Sequence, residues 1–223
     1  MASNNLLIVE SENDKFFIER LKQEITANFD IDTPICRISS YEYLDGLSQA
    51  SLERKLTAIK NKIGKDELNK IGILLDADNK GIAARIKLIN DSVKFIDNDL
   101  NILAVNTWYQ SKTLSVEISC HILNINGKGE LETVLRAIKS SDSIFADCLD
   151  AWRHCVTNKD KAITDKDFDK FWVNIYQRYD CCNKEEKYQA GRKCNPEASL
   201  QKDIWNFAHP VLNDLISYLK MFD

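Results

Sequence analysis

Glycine and proline are scarce in this chain of 223 residues, at 7 and 3. That scarcity excludes collagen-like and Pro/Gly-rich disordered classes, and regular elements are expected to outweigh loops. No apolar run approaches the roughly 20 residues of a membrane span. The polar start, Met1 to Asn5, lacks the basic beginning and apolar middle of a secretory signal. A cytoplasmic protein without membrane contact is expected. No Cys-x₂-Cys pair occurs, and the adjacent Cys181-Cys182 suits tetrahedral ligation poorly, so structural zinc is set aside. The 7 cysteines, an odd number, are expected to be reduced thiols. Basic charge is not in excess either: 30 Lys and Arg against 34 Asp and Glu give a net charge of −4. Binding a polyanion would need local basic patches and metal ions. Gly127-Lys128-Gly129 lacks the Gly-Lys-Ser/Thr that a phosphate loop requires, so any nucleotide switch must come from elsewhere.

What is present is enough apolar residue for a core, 44% of the chain. Residues 5 to 10, NLLIVE, form an apolar run ending in an acid, which suits a strand buried on both faces. Phe17, Leu21 and Ile25 then repeat at helical spacing, predicting a helix from about Asn13. Residues 34 to 38 read as a second strand and 48 to 62 as a basic helix. IGILLDAD, 71 to 78, is the clearest strand, followed by the helical stripe Ile82, Ile86, Ile89, Val93 and Ile96. Strands are expected at 101 to 105 and 116 to 123.

This alternation predicts an α/β fold with a mainly parallel sheet flanked by helices. Beyond Gly127 the segments 129 to 139, 142 to 157, 164 to 180 and 210 to 222 read as helical. The division expected is an α/β domain over 1–140 and a helical C-terminal extension over 141–223 packed on it. Phe168, Phe171, Trp172, Ile175 and Tyr179 are assigned to one buried helical face.

In open parallel sheets, ligands bind beyond the carboxyl ends of the strands. Glu10, Asp76 and Asp78 all stand at such ends. Residues two apart in an extended chain share a face, so Asp76 and Asp78 are expected to point together. Carboxylates at adjacent strand ends suffice for Mg²⁺ or Mn²⁺, hard ions that take oxygen ligands and keep several waters. Ser11-x-x-Asp14 is also a capping-box pattern, and Asp78-Asn79 a helix-cap pattern.

An apolar strand ending in Glu10, an acid four residues on, and a strand ending in Asp76-x-Asp78 resemble the TOPRIM domain. That domain is shared by type IA and type II topoisomerases, bacterial primases, small RNA maturases and OLD-type nucleases. The resemblance rests on LLIVESENDKFF and IGILLDADNKG and covers roughly residues 5 to 110. Ser11 stands where the family usually has Gly. Gly129-Glu130-Leu131-Glu132 and HPVLNDLISYLKMF at 209 to 222 are similar to small standalone TOPRIM-like proteins.

The resemblance implies metal ligation by Glu10, Asp14, Asp76 and Asp78, with Glu132 as an additional ligand. It also implies that Lys170, with Lys166 behind it, steadies charge in the transition state. The implied function is a Mg²⁺- or Mn²⁺-dependent nuclease acting on DNA or RNA, with Glu10, Asp76, Asp78 and Lys170 catalytic. The alternative is a scaffold that works with a separate ATPase. A primase-like enzyme ranks third, because zinc-binding and helicase-binding modules are missing.

Overall fold

The computed structural model describes residues 3–36, 47–66 and 68–223. Among these, five strands form one sheet: β1 (Asn5–Val9), β2 (Asp30–Ile31), β3 (Lys70–Asp76), β4 (Tyr109–Ser111) and β5 (Val116–Leu123). Their order is β2-β1-β3-β5-β4. All neighbours are parallel except β4, which runs antiparallel to β5. The expected α/β class with a mainly parallel sheet is therefore present. The central strands are almost wholly buried and read as continuous apolar runs, as strands covered on both faces do.

Helices cover both faces. On one side lie α2 (Gln49–Asp66) and α3 (Ile82–Val93), whose Leu52, Leu56, Ile59, Ile89 and Val93 meet Ile8, Ile71, Ile73 and Ile118. On the other lie α1 (Glu12–Leu21), α4 (Leu131–Ala137), α6 (Asp165–Ile175) and α10 (Asn213–Lys220). Their Phe17, Leu135, Phe168, Trp172 and Leu219 share a core with Leu7, Val9 and Leu74. Residues on both sides of position 140 thus enter one apolar cluster. The remaining α-helices among the described residues are α5 (Cys148–Thr157), α7 (Lys184–Lys187), α8 (Ala190–Lys193) and α9 (Pro196–Leu200).

The C-terminal helix is locked across the sheet. Phe222 packs on Phe29 and Trp108 and, with Tyr218, closes directly over Gly72 in β3. Asn5 Nδ2 donates to the Phe222 carbonyl at 2.7 Å, and Lys70 Nζ donates to the Met221 carbonyl at 2.8 Å. His121 stacks on Tyr218 while its neighbour Cys120 enters the opposite core, the alternation a strand imposes.

Several expectations need correction. Residues 101 to 105 form no strand, and the edge strand is β4 instead. Of the strand placed at 34 to 38, residues 34 to 36 run beside β1 through Ile35 N to the Val9 carbonyl and Cys36 N to the Glu10 carbonyl. They form no strand, the paired segment being β2, and 37 and 38 lie outside the described residues. The helix expected from 142 begins only at Cys148. Asp180 holds the preceding turn by accepting from Ser143 Oγ and from the N–H groups of Ile144, Phe145 and Ala146. Phe171 and Tyr179 are exposed, and for Tyr179 the reason is that α6 passes into a π-turn (Tyr176–Asp180) that shifts the helical phase. Cys182 and Cys194 form a disulfide with Cα atoms 6.0 Å apart, and the other five cysteines are free. Sequence spacing gave no sign of that pairing. Among the described residues no helix is long and apolar enough to cross a membrane.

Candidate functional site

Three adjacent strands deliver acids to one edge. β1 passes straight into Glu10, and β3 ends on Asp76. The chain leaving β5 turns back and presents Glu130 and Glu132 at the start of α4. That return is pinned to the tip of β3: Asp78 N donates to the Gly129 carbonyl at 2.8 Å, and Gly129 N to the Asp78 carbonyl at 3.0 Å. Gly129 has φ +97°, and any side chain there would run into Thr133. Glycine at 129 is therefore what lets Glu130 approach β3.

Asp14 comes from α1. Ser11 caps this helix by accepting from Asp14 N at 3.3 Å, while Asp14 Oδ2 accepts from Ser11 N at 2.8 Å and Ser11 Oγ at 2.7 Å. The capping box is real, and it also holds a carboxylate against the sheet edge. Glu10 Oε2 accepts weakly from Asp76 N at 3.4 Å. The Asp76 carboxylate accepts no hydrogen bond and meets no cation among the described residues.

The consequence is strong mutual repulsion. Burial, then the charges of Asp14, Glu10, Glu132 and Glu130, hold the Asp76 carboxyl well above the usual carboxylate range. Burial and the Glu10 charge raise Asp14 to about 7 against its bonds to Ser11. Burial and the Glu132 charge raise Glu130 to about 7, opposed by Lys170 and Lys166. Glu10 is raised by burial, with the Arg85 charge opposing and the Asp78 charge adding. Perturbed carboxyls gathered in one place mark a functional candidate.

Asp78 is different. It lies beyond β3 with φ +47°, so it does not share the extended alternation expected of the Asp-x-Asp pair. Both of its oxygens are taken. Oδ2 pairs with Arg85, and Oδ1 accepts from Lys166 Nζ at 2.9 Å. Lys166 Nζ also stands 2.9 Å from Glu130 Oε2, whereas Lys170 Nζ is 3.9 Å away. Lys166, not Lys170, is thus the nearer ammonium. Burial tends to lower its pKa, but Glu130 and Asp78 raise it above the ordinary lysine value.

Arg85 and Glu130 were not foreseen. Arg85 is 1% exposed, and among the described residues its Nε and Nη1 have no partner, like Glu130 Oε1. Arg85 sits within the apolar stripe of α3, where sequence periodicity gives no signal for a buried cation. Glu130 precedes its helix and looks like an ordinary first-turn acid.

Glu10, Asp14, Asp76, Glu130 and Glu132 thus act electrostatically on one another, with Asp78 turned toward two cations. Among the described residues, no three His, Cys, Asp or Glu side chains stand grouped as a metal ion would need them. The donor chemistry nonetheless suits a hard divalent cation: all are carboxylates, and Asp76 pairs with no cation among the described residues. Beside the acids opens a cavity of about 480 Å³, bordered by Asp78, Glu130, Lys166, Arg136, Arg153 and Lys128.

A three-layer α/β protein with an acidic site at the carboxyl edge of a parallel sheet is the class defined by these features. The chain belongs to the family described as proteins of unknown function, DUF3226, which it matches over residues 4–222. No curated protein and no solved structure matches it.

Proposed function

We propose that this edge binds Mg²⁺ or Mn²⁺ and hydrolyses phosphodiester bonds in DNA or RNA. The observation that carries the reading is the Asp76 carboxylate, which among the described residues has no counter-ion and stands beside four other acids. Such a group needs a proton or a cation at neutral pH. The resemblance of LLIVESENDKFF and IGILLDADNKG to the TOPRIM motifs points to the cation. Glu10, Asp14, Asp76 and Glu132 would hold it. A bound divalent ion supplies Lewis acidity and a reactive water.

The chain's own groups have distinct tasks. Glu10, with its raised pKa, is suited to exchange a proton with a water at the edge. Lys166 and Lys170 place positive charge where a phosphate would gain negative charge. Asp78 orients Lys166 and Arg85 rather than binding the ion. The test is Mn²⁺ titration followed by cleavage of labelled DNA and RNA. Saturable binding and cleavage, both lost in Asp76→Asn, are expected. Wild-type protein that binds no Mn²⁺ would overturn the reading.

A second reading is a partner-dependent scaffold working with a separate ATPase. The internal neutralisation of Asp78 by two cations, and the lack of a ready three-acid group among the described residues, favour it. Metal binding without cleavage until a co-purified ATPase is added would select this version.

A further inference from the structure

Resting on the phosphodiesterase reading, we propose that the cavity beside the acids receives one unpaired nucleotide. The substrate would then be a single strand or a frayed end, not an intact duplex. The cavity, at about 480 Å³, falls within the range of small-ligand sites and cannot admit a double helix.

The chemistry of its wall matches a nucleotide part by part. For a phosphate there is Lys128, whose ammonium has no partner among the described residues, with Lys166 on the same wall beside Asp78. For the flat face of a base there are the guanidiniums of Arg136 and Arg153. Both are fixed before any ligand arrives. Arg136 is held by Asp169 and Asp150 at 3.1 Å each, and Arg153 by Asp165 at 2.5 Å. Both also lie over the Phe168 ring, at 4.8 and 4.7 Å from its centre. Arginine planes stack on bases, and pre-ordering lowers the entropy cost of doing so.

For an amino or hydroxyl donor there is Glu130, which borders the cavity and is 3% exposed, with Oε1 unpartnered among the described residues. Asn79 adds an exposed side-chain amide at the border. Ile125 and Ala137 supply apolar wall. Because Asp78, Glu130 and Lys166 belong to both cavity and acid edge, a nucleotide here would lie next to the reacting phosphate.

The experiment fills the cavity without touching the acids. Ala137 is exposed on the last turn of α4, so Ala137→Trp is compatible with folding. Lys128→Glu reverses the free charge as a second variant. With Ca²⁺ present, anisotropy measures binding of a labelled ten-residue single strand, a blunt duplex of the same sequence, and competition by adenosine monophosphate.

The wild-type protein is expected to prefer the single strand over the duplex by about tenfold or more. Each variant should lose about tenfold in single-strand affinity while keeping wild-type Mn²⁺ affinity. Competition by the monophosphate would assign the cavity to free nucleotide as well as strand ends, and its failure would assign it to strand ends alone. Equal binding of duplex and single strand, or undiminished binding in both variants, overturns the proposal. Loss of Mn²⁺ binding in the wild type would instead overturn the acid-edge reading, so the two failures are distinguishable.

Discussion

Lys166 reaches across 88 residues of sequence to place its ammonium 2.9 Å from Asp78. The same nitrogen lies 2.9 Å from Glu130, so one cation from α6 ties the tip of β3 to the start of α4. Glu130 is buried, and removing the ammonium would leave its carboxylate facing other acids. Lys166→Met is expected to lower stability by about 1–2 kcal/mol, since half of the bridge is open to water. Urea unfolding measures this. Adding Glu130→Gln should restore part of the loss, and a double variant no better than the single would show that the bridge is not what matters.

Asp76 and Asp78 should separate in metal binding. Among the described residues the Asp76 carboxylate has no partner, whereas Asp78 already serves two cations. Asp76→Asn is expected to weaken Mn²⁺ binding about tenfold or more, and Asp78→Asn by less than about threefold. Calorimetric titration of both variants decides it. Equal losses would return Asp78 to the ligand set.

The acid edge sets a pH dependence. Asp14 moves from 3.8 to about 7 on folding, and Glu130 from 4.5 to about 7. Carboxyls raised in this way favour the protonated folded state. Their contribution is full below the ordinary carboxylate values and is lost as pH rises toward 7. His121 acts oppositely. Its burial lowers it from 6.5 to about 4, so its contribution is lost as pH falls through that window. Metal-free protein carrying Asp14→Asn should therefore lose less stability than wild type between pH 5 and about pH 8. Melting temperatures across this range check the sign, and identical slopes would refute it.

Gly72 has no room for a side chain, because Phe222, Tyr218 and Leu7 close over it. Gly72→Ala should destabilise the protein by about 1–3 kcal/mol through overpacking. Gly191→Ala, where nothing lies near, serves as the control. Equal melting temperatures for the two would mean that α10 shifts freely over the sheet.

The buried strands β1, β3 and β5, and the helices α1 and α3, were legible because each carries its own apolar period. Glu10 and Asp76 were legible for a related reason: an acid that stops a buried strand has only the sheet edge to occupy. Period alone could not find β4, which is three residues long, or the π-turn that takes Tyr179 off the buried face.

The choice of Lys166 over Lys170, the role of Glu130, and the buried Arg85 needed the tertiary structure. Each depends on how α3, α4 and α6 approach the edge, and distant charges leave no mark on local spacing. Sequence by itself determined which strands end in acids. Packing decided which of those acids meet a cation: among the described residues Asp78 pairs with two, while Glu10 and Asp76 form no ion pair.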